Sequence, residues 1–295
     1  MLDIGHSSVL YAQPAPGVPV ARLIVGRDVE DVATLLPRLF NLCRAAQSAA
    51  VEAALGRQAD CEDIGREILR DHLLKFHVSW PAFFGSPPCP LPADWAAGGP
   101  ELRNAAFGPA MRPPATAADF YAFLHSELGY APVLKNIGGC FAGGEAVAEG
   151  VPPVTPETIW ADGVFDNSVA VRAWRHPVMA AIASEHGRGP LWRAAARLFD
   201  IAAVIDGDIP PIVATGPGEA IVPAARGSYA VKIALEGNTV TSFDRVTPTD
   251  HLLADGGVLD RTLASLPAHK AGLGPLLLDI LDPCSPVRLR EVRHA

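Results

Sequence analysis

Five cysteines are the side chains of this 295-residue sequence best suited to hold a metal or to act as nucleophiles. Taken singly, a cysteine is more often a small buried hydrophobic residue than a ligand. Cys43 begins a predicted helix, where backbone N–H groups and the helix dipole lower the pKa of a thiol, and Cys284 follows Asp282-Pro283, a turn that fixes its direction. Both are candidates to present a thiolate. The sequence leaves open whether the other three add a ligand, namely Cys61, Cys89 and Cys140.

Other common chemistries find no support in the sequence. The nine histidines show no H-E-x-x-H spacing, and His72 lies on an apolar helical stripe as a core histidine does, so we expect no histidine-based zinc site. Neither G-x-S-x-G nor a Cys-His-Asn signature of acyl-transfer catalysis is present. The glycines around Cys140 are followed by Glu145 and not by the Lys-Ser/Thr of a phosphate loop, which favours a turn.

Composition indicates an acidic globular protein. Hydrophobic residues make up 49% and charged residues 19%, which is enough for a sizeable core. The net charge is −8 without a run of Lys or Arg, so nucleic acid is not an expected partner. We expect no membrane span, because no apolar stretch reaches about 18 residues. The N-terminus lacks a secretion signal and the sparse cysteines lack a disulfide pattern, so the predicted location is the cytoplasm.

Most elements that position these cysteines are predicted to be helices. Asp60 and Asp63 form an N-cap pair ahead of an apolar stripe that recurs every four residues up to Trp80, and Thr116 with Asp119 marks another helix start. A helical pattern that begins at residue 28 is divided by Pro37. Further helical patterns cover residues 44–55, 167–175, 177–185, 191–204 and 273–281.

One hairpin is the clearest β structure in the sequence. Tyr229, Val231 and Ile233 alternate with less apolar residues, turn residues occupy 236–238, and an extended pattern covers 239–246. The short apolar segment 20–25 is compatible with a strand, and the Pro- and Gly-rich residues 81–115 predict a long loop. The predicted fold class is α+β, mainly α, with a small antiparallel sheet, in a single domain over residues 1–295.

Five blocks of the sequence, in the same order, resemble the large subunit of nickel-iron hydrogenases. That family reads G-R-D-P-x-D-A followed by R-I-C-G-x-C-x-x-x-H, then S-H-x-x-H-F, E-A-P-R-G, V-P-S/T and D-P-C-x-x-C-x-x-H. The corresponding blocks here read G-R-D-V-E-D-V-A with R-L-F-N-L-C-R-A-A-Q (26–33 and 38–47), R-D-H-L-L-K-F (70–76), A-A-R-G (224–227), T-P-T (247–249) and L-D-P-C (281–284). The resemblance implies a helical core like that of the hydrogenase large subunit, with the two cysteine segments meeting near its centre.

The chain departs from this family at the metal ligands. The enzyme holds nickel with four cysteines, and the same positions here are Phe40, Cys43, Cys284 and Val287. Two thiolates do not complete the nickel ligand set, so the resemblance implies no nickel and no hydrogen turnover, and we expect that the protein is not an enzyme. Gln47 and Arg290 replace both motif histidines. The extension that the enzyme precursor loses is lacking after Cys284, so no processing is expected.

A shortened, cysteine-depleted relative of the large subunit is similar to the HupK/HoxV-type hydrogenase maturation proteins. That resemblance implies a scaffold that transiently carries iron with two cyanides and one carbonyl, Fe(CN)2(CO), because such an iron needs only two or three more donors. The implied partners are the hydrogenase large subunit, the small maturation chaperone and the iron-assembly protein. The resemblance assigns the iron to Cys43 and Cys284, the cyanides to Arg226 and Thr249, and orienting roles to Arg38 and Asp282. Val246 or Tyr229 would supply an apolar niche for the carbonyl.

Two alternatives stay open. A metal-free chaperone that imitates the large subunit in order to occupy its partners would need no ligands, and an enzyme in its own right would rest only on the ancestry of the fold. Ordinary structural roles also compete for three of the candidates. Arg38 suits a surface ion pair, Thr249 a turn and Asp282 a helix end.

Overall fold

The computed structural model describes residues 10–39 and 43–291, and these ranges are mainly helical. The helices are α1 (Val20–Ile24), α2 (Val29–Leu39), α3 (Arg44–Ala54), α4 (Cys61–Leu74), α5 (Trp80–Phe83), α6 (Pro100–Phe107), α7 (Ala117–Leu124), α8 (Ala131–Cys140), α9 (Pro177–His186), α10 (Pro190–Ile205), α11 (Pro248–Leu252), α12 (Val258–Ala264) and α13 (Gly274–Leu281). The strands are β1 (Leu10–Pro14), β2 (Val213–Gly216), β3 (Glu219–Ala224), β4 (Gly227–Glu236), β5 (Thr239–Val246) and β6 (Val287–Glu291). The predicted α+β, mainly α class is confirmed.

Local capping signals identified two helix starts correctly. The Asp60 carboxylate accepts the N–H of Glu62 at 2.8 Å and so begins α4. Thr116 and Asp119 form a reciprocal capping box at the start of α7. Beyond Leu74, α4 continues into a π-helical turn, Lys75–Ser79, and then into α5, so the predicted stripe reaches Trp80 without a break.

Three local predictions were wrong where other interactions decide the backbone. Residues 20–24 form helix α1 and not a strand, with Val20 and Ile24 buried on one face. The predicted loop 81–115 contains α6, whose first N–H groups are capped by the Asp94 carboxylate. In the region 167–175 the only helix is the 3₁₀ turn Val169–Val171. Its helical pattern fails because the Asn167 side chain pairs with the backbone of β4 instead.

The predicted hairpin is part of a four-stranded antiparallel sheet of order β2-β3-β4-β5. Tyr229 pairs with Val222, and Val231 pairs with Arg245 on the neighbouring strands. Paired residues share a face of a sheet, so these four side chains lie on the face that packs against α3. Val246 pairs with Ala230 on the opposite face, where both belong to a separate apolar cluster.

A second sheet brings the two ends of the described chain together. β1 pairs with β6 in antiparallel register, from Leu10 opposite Glu291 to Pro14 opposite Val287. Ala15 then donates its N–H to the Pro286 carbonyl at 2.9 Å. The segment after β1 is therefore held beside the segment that carries Cys284.

Helix α10 runs through the largest apolar cluster and packs against α4, α8, α9 and α13. Its residues from Pro190 to Ala202 are all buried. Three charged side chains lie in this buried stretch, and they are Arg193, Arg197 and Asp200. Buried charges need partners, so α10 fixes where complementary groups from other elements must lie. In the described parts of the chain, every helix is too short or too polar to cross a lipid bilayer.

Candidate metal-binding site

Cys43 directly precedes α3 and is half-buried. Its backbone has a left-handed conformation, with φ 57°, which turns the chain into the helix. The first N–H groups of α3 do not face the sulfur, because the Glu67 carboxylate of α4 accepts from Ala45 at 2.9 Å and from Ala46 at 3.4 Å. Burial raises the pKa of the Cys43 thiol to about 12, although the Arg226 charge opposes this shift. The expectation of a lowered thiol pKa was therefore wrong.

Cys284 is held by the side chain of Thr249. Asp282 ends α13 in a left-handed conformation, with φ 54°, and Pro283 then leads the chain into the turn. The Thr249 hydroxyl donates to Sγ of Cys284 at 2.9 Å and accepts the backbone N–H of Cys284 at 2.6 Å. Two hydrogen bonds thus fix both the backbone and the sulfur of Cys284.

The two cysteines line one cavity of about 270 Å³. Arg226, Tyr229 and Arg245 also line it, and so does Gln47, which stands where the hydrogenase motif has a histidine. The structure therefore brings together two segments that lie 241 residues apart (284 − 43). In the described part of the chain, no three or more His, Cys, Asp or Glu side chains are grouped so as to hold a metal ion. The cavity offers two thiols.

Arg226 connects the first cysteine to the interior of the protein. It lies in the turn between β3 and β4, and its Nη1 donates to Sγ of Cys43 at 3.7 Å. Nη2 donates to Asp71 at 3.0 Å, and Nε lies 3.1 Å from Oδ2 of Asp282. Burial opposes the charge of the guanidinium, but Asp282 and Asp71 outweigh burial and raise the pKa of Arg226 above its ordinary value. Arg226 is a fixed cation beside the thiols.

Asp282 is the centre of a buried ionic network. Its Oδ2 accepts from Nη2 of Arg197 at 2.8 Å, and its Oδ1 lies 2.9 Å from Nζ of Lys75. Burial alone would raise the pKa of this carboxyl, but Arg197, Arg226 and Lys75 hold it well below its usual range. Asp282 is therefore a carboxylate that holds Arg226 in place, and its side chain lies next to the turn that presents Cys284.

A second layer of charged groups supports the network from behind. Arg197 Nη1 lies 2.8 Å from Nδ1 of His72, whose Nε2 lies 2.7 Å from Asp200. Arginine can only donate, so Nδ1 accepts and the neutral ring donates from Nε2 to Asp200. Arg172 then links Asp200, at 2.7 Å, to the carbonyls of Ala224 and Gly227 on either side of the Arg226 turn. The prediction that His72 is a core histidine is confirmed by its full burial.

Sequence reasoning assigned no site role to the partners in this network, which are Asp71, Lys75, Arg172, Arg197 and Asp200. A signal was available for Asp200, since it interrupts the apolar stretch of residues 198–205. Asp71 and Lys75 lie in one of the hydrogenase-like blocks. No local pattern distinguishes Arg197 or Arg172 from other arginines.

The structure does not bring every candidate to the cavity. Arg38 lies on an exposed position of α2 and makes no hydrogen bond or ion pair with the described site residues. Val246 lies on the far face of the sheet, so Tyr229 is the one of the two carbonyl-niche candidates that lines the cavity. Val287 pairs with Pro14 in the β1–β6 sheet, and Phe40 lies outside the described residues. Cys61, Cys89 and Cys140 are not among the described residues that line the cavity.

The amino-acid sequence is similar to those of known hydrogenase expression/formation proteins. No protein-family model matches the sequence. The hydrogenase expression/formation protein HupK of Rhodobacter capsulatus is 48% identical over 292 residues, which cover 99% of this chain and 96% of that protein. The hydrogenase expression/formation protein HupV of Azotobacter chroococcum mcd 1 is 27% identical, with 91% of this chain and 90% of that protein covered.

Solved hydrogenase structures share the fold. The nickel-iron-selenium hydrogenase of D. vulgaris Hildenborough matches with a TM-score of 0.56 at 13% identity, covering 93% of this chain and 95% of that chain. The nickel-iron-selenium hydrogenase of Desulfomicrobium baculatum matches with a TM-score of 0.50 at 12% identity, covering 93% and 96%. The predicted hydrogenase-like fold is therefore confirmed, and at these identities the likeness extends to the fold alone. On the strength of its full-length identity to HupK, the chain belongs to the HupK family of hydrogenase expression/formation proteins.

Proposed function

We propose that this chain is a maturation scaffold for nickel-iron hydrogenase, which holds Fe(CN)2(CO) between Cys43 and Cys284 until the large subunit receives it. The observation that carries the proposal is the cavity that both thiols share, with the Arg226 guanidinium donating to one of them. The names of the two relatives, both hydrogenase expression/formation proteins, support a role in maturation.

The two thiols suit an iron that already carries strong ligands. Two thiolates and three diatomic ligands give five donors around the iron, and thiolate is a soft ligand that iron accepts. A structural zinc site takes four protein ligands. The hydrogenase-like motifs retain only two of the four cysteines that bind nickel, so the proposal includes no nickel and no hydrogen turnover.

The cavity has room for such a cargo. Its volume of about 270 Å³ is many times the ~10–15 Å³ that one water molecule needs. The cargo is compact, since it consists of one iron atom and three two-atom groups. The ring of Tyr229, which is buried and lines the cavity, gives an apolar wall for the carbonyl.

Arg226 supports the binding of cyanide. A guanidinium carries five N–H donors in a fixed plane, and cyanide nitrogen is a negatively charged acceptor. The contacts with Cys43 and Asp71 use one hydrogen on each terminal nitrogen of Arg226. A second hydrogen on each terminal nitrogen is then left for the cargo. The network around Asp282 keeps these donors in one orientation, which reduces the reorganisation needed on binding.

Under this proposal the protein works in the cytoplasm with three partners. The iron-assembly protein and the small maturation chaperone supply the cargo, and the hydrogenase large subunit receives it. Transfer by ligand exchange requires that two donors of the recipient replace the thiolates of Cys43 and Cys284 at the iron.

A second candidate function is a metal-free chaperone that imitates the large subunit and occupies its partners. The loss of two of the four motif cysteines favours this candidate, because a chaperone that only imitates the large subunit has no need of metal ligands. The hydrogenase-like fold is compatible with either function.

Cysteine variants separate the two functions. Iron would be measured in protein purified without oxygen from cells that express the maturation machinery, and hydrogenase activity would be measured in the same cells. Cys43→Ser and Cys284→Ser are expected to lose iron and to abolish hydrogenase activity. Cys61→Ser, which changes an exposed cysteine, is the matched control and is expected to keep both. Full hydrogenase activity with both cavity variants would overturn the scaffold and leave the metal-free chaperone.

A further inference from the structure

Thr249 already uses its only hydroxyl hydrogen within the protein. Its Oγ1 donates to Sγ of Cys284 at 2.9 Å and accepts the Cys284 N–H at 2.6 Å. A hydroxyl has one hydrogen to donate, so this hydroxyl has none left for a cyanide. Thr249 lines a small adjoining cavity of about 20 Å³, which shares Arg226 and Pro248 with the cavity of the two thiols, and it is not among the described residues lining the latter. The Thr249 hydroxyl therefore cannot be the donor to a cyanide while these two bonds are made.

Arg245 lies on the wall of the cavity that contains both thiols. It pairs with Val231 across β4 and β5, and Tyr229 lies two residues along β4 on the same face of the sheet. Both Arg245 and Tyr229 line the cavity that contains Cys43 and Cys284. The Arg245 charge also acts on the Tyr229 hydroxyl, opposing the burial that raises the pKa of Tyr229 to about 12. Arg245 therefore already interacts with Tyr229 inside the protein, and a hydrogen bond to the cargo would use its other N–H groups.

Charge balance favours a second cation in this cavity. Two thiolates, an iron dication and two cyanides carry a net charge of −2 (−2 + 2 − 2). Moving such a charge out of water is costly unless cations and hydrogen-bond donors replace the solvent. Asp71 and Asp282 already offset the charge of Arg226, and Asp250 adds another carboxylate to the lining of the cavity. Among the described residues that line the cavity, Arg226 and Arg245 are the two that carry a positive charge.

We propose that Arg245 is the second anchor of the cargo, with its guanidinium donating to a cyanide nitrogen, while Thr249 positions the sulfur of Cys284. Arg226 and Arg245 then bind one cyanide each. The cavity selects an iron that bears two anionic acceptors over an iron that bears only neutral ligands. This inference rests on the proposed scaffold function and extends it to a residue outside the hydrogenase-like motifs.

The test is the infrared spectrum of the iron-loaded protein, purified without oxygen from cells that express the maturation machinery. Arg245→Gln removes the charge and the guanidinium, and Arg245→Lys keeps the charge but loses the planar donor geometry. Arg66→Gln, which removes an exposed guanidinium on α4, is the matched control. Iron content and thermal unfolding would be measured on each variant.

A cyanide that loses a hydrogen bond donates more electron density to iron, and the iron then passes more density to the carbonyl. Arg245→Gln is therefore expected to retain less iron than Arg66→Gln. In the Arg245→Gln protein that still holds iron, one cyanide band should move and the carbonyl frequency should be lower. Arg245→Lys is expected to restore part of the iron content with a cyanide band that is still shifted.

Three results overturn the inference, and they can be told apart. Cyanide and carbonyl bands that are present and identical in the unaltered protein and in Arg245→Gln overturn the role of Arg245 and leave the scaffold intact. Loss of iron that only follows a lowered unfolding temperature, with unshifted bands in the fraction that stays folded, assigns Arg245 a purely structural role. An unaltered protein without such bands overturns both proposals.

Discussion

The guanidinium of Arg226 and the carboxylate of Asp282 form a buried ion pair, with Nε and Oδ2 3.1 Å apart. Arg226 also donates to Sγ of Cys43, and Asp282 precedes Cys284 by two residues. The pair therefore joins the two segments that carry the thiols. Arg197 and Lys75 form ion pairs with the same carboxylate. The position of Arg226 beside Cys43 therefore depends on the whole network and not on one pair.

Asp282→Asn tests this network. The substitution leaves the charges of Arg197, Lys75 and Arg226 buried around a neutral amide, and removing one partner of a buried ion pair costs about 3–5 kcal/mol. Asparagine tolerates the left-handed backbone at this position, so backbone strain does not confuse the result. We expect a loss of this size in the free energy of unfolding, measured with urea. An exposed control, Asp162→Asn, should change it by less than about 0.5 kcal/mol, and an equally small change for Asp282→Asn would refute the network.

Thr249→Val tests the positioning of Cys284. Valine has nearly the same shape but loses the hydrogen bond to Sγ and leaves the Cys284 N–H without its acceptor, at a cost of about 1–3 kcal/mol. We expect a lower iron content after oxygen-free purification, with unchanged cyanide bands in the protein that keeps its iron. Thr249→Ser restores the hydroxyl and should restore the iron content. A shifted cyanide band in Thr249→Val would instead show that Thr249 contacts the cargo.

His72 predicts a pH dependence of stability. Burial lowers the pKa of His72 below its ordinary value, and the charge of Arg197 lowers it further, although the hydrogen bond with Asp200 acts in the opposite direction. In the unfolded chain the ring titrates near pH ~6.5, so below that pH the unfolded state binds one more proton than the folded state. Stability is therefore full above this pH and falls as the pH falls, by up to ~1.4 kcal/mol per pH unit for this residue.

The measurement is the urea unfolding free energy between about pH 7.5 and 5.5, a range that spans the titration of an unfolded histidine. His72→Gln should reduce the slope against pH, whereas the exposed control His125→Gln should keep it. Burial also lowers the pKa of three other histidines, so part of the slope should remain; they are His77, His176 and His251. An unchanged slope in His72→Gln would mean that His72 has the same pKa in the folded and unfolded states, which would contradict the lowered pKa of the buried ring.

Local signals predicted the elements that begin with a cap, and non-local contacts explain the errors. The start of α4 at Asp60 and the start of α7 at Thr116 depend on residues within one turn. The pairing of β1 with β6 joins residues near opposite ends of the chain, and no local pattern specifies it. The helical pattern of 167–175 was overridden by bonds between Asn167 and β4, which also lie far apart in sequence.

The site residues show the same contrast between local signals and non-local contacts. Cys43, Cys284, Arg226, Thr249 and Asp282 could be named because they fall in hydrogenase-like motifs. What each of them contacts could not be predicted, because Arg197 reaches Asp282 from 85 residues away and Asp71 reaches Arg226 from 155 residues away. The expectation that the pKa of Cys43 is lowered was wrong for a related reason. Glu67 of another helix occupies the N–H groups that would have stabilised the thiolate.

The infrared spectrum of the unaltered protein tests the central claim most directly. The sample is purified without oxygen from cells that express the maturation machinery and is compared with Cys43→Ser, Cys284→Ser and the exposed control Cys61→Ser. The account predicts cyanide and carbonyl bands in the unaltered protein and the control, and no such bands in either cavity variant. Spectra without cyanide and carbonyl bands, from a protein that fully supports hydrogenase maturation in the same cells, would contradict it.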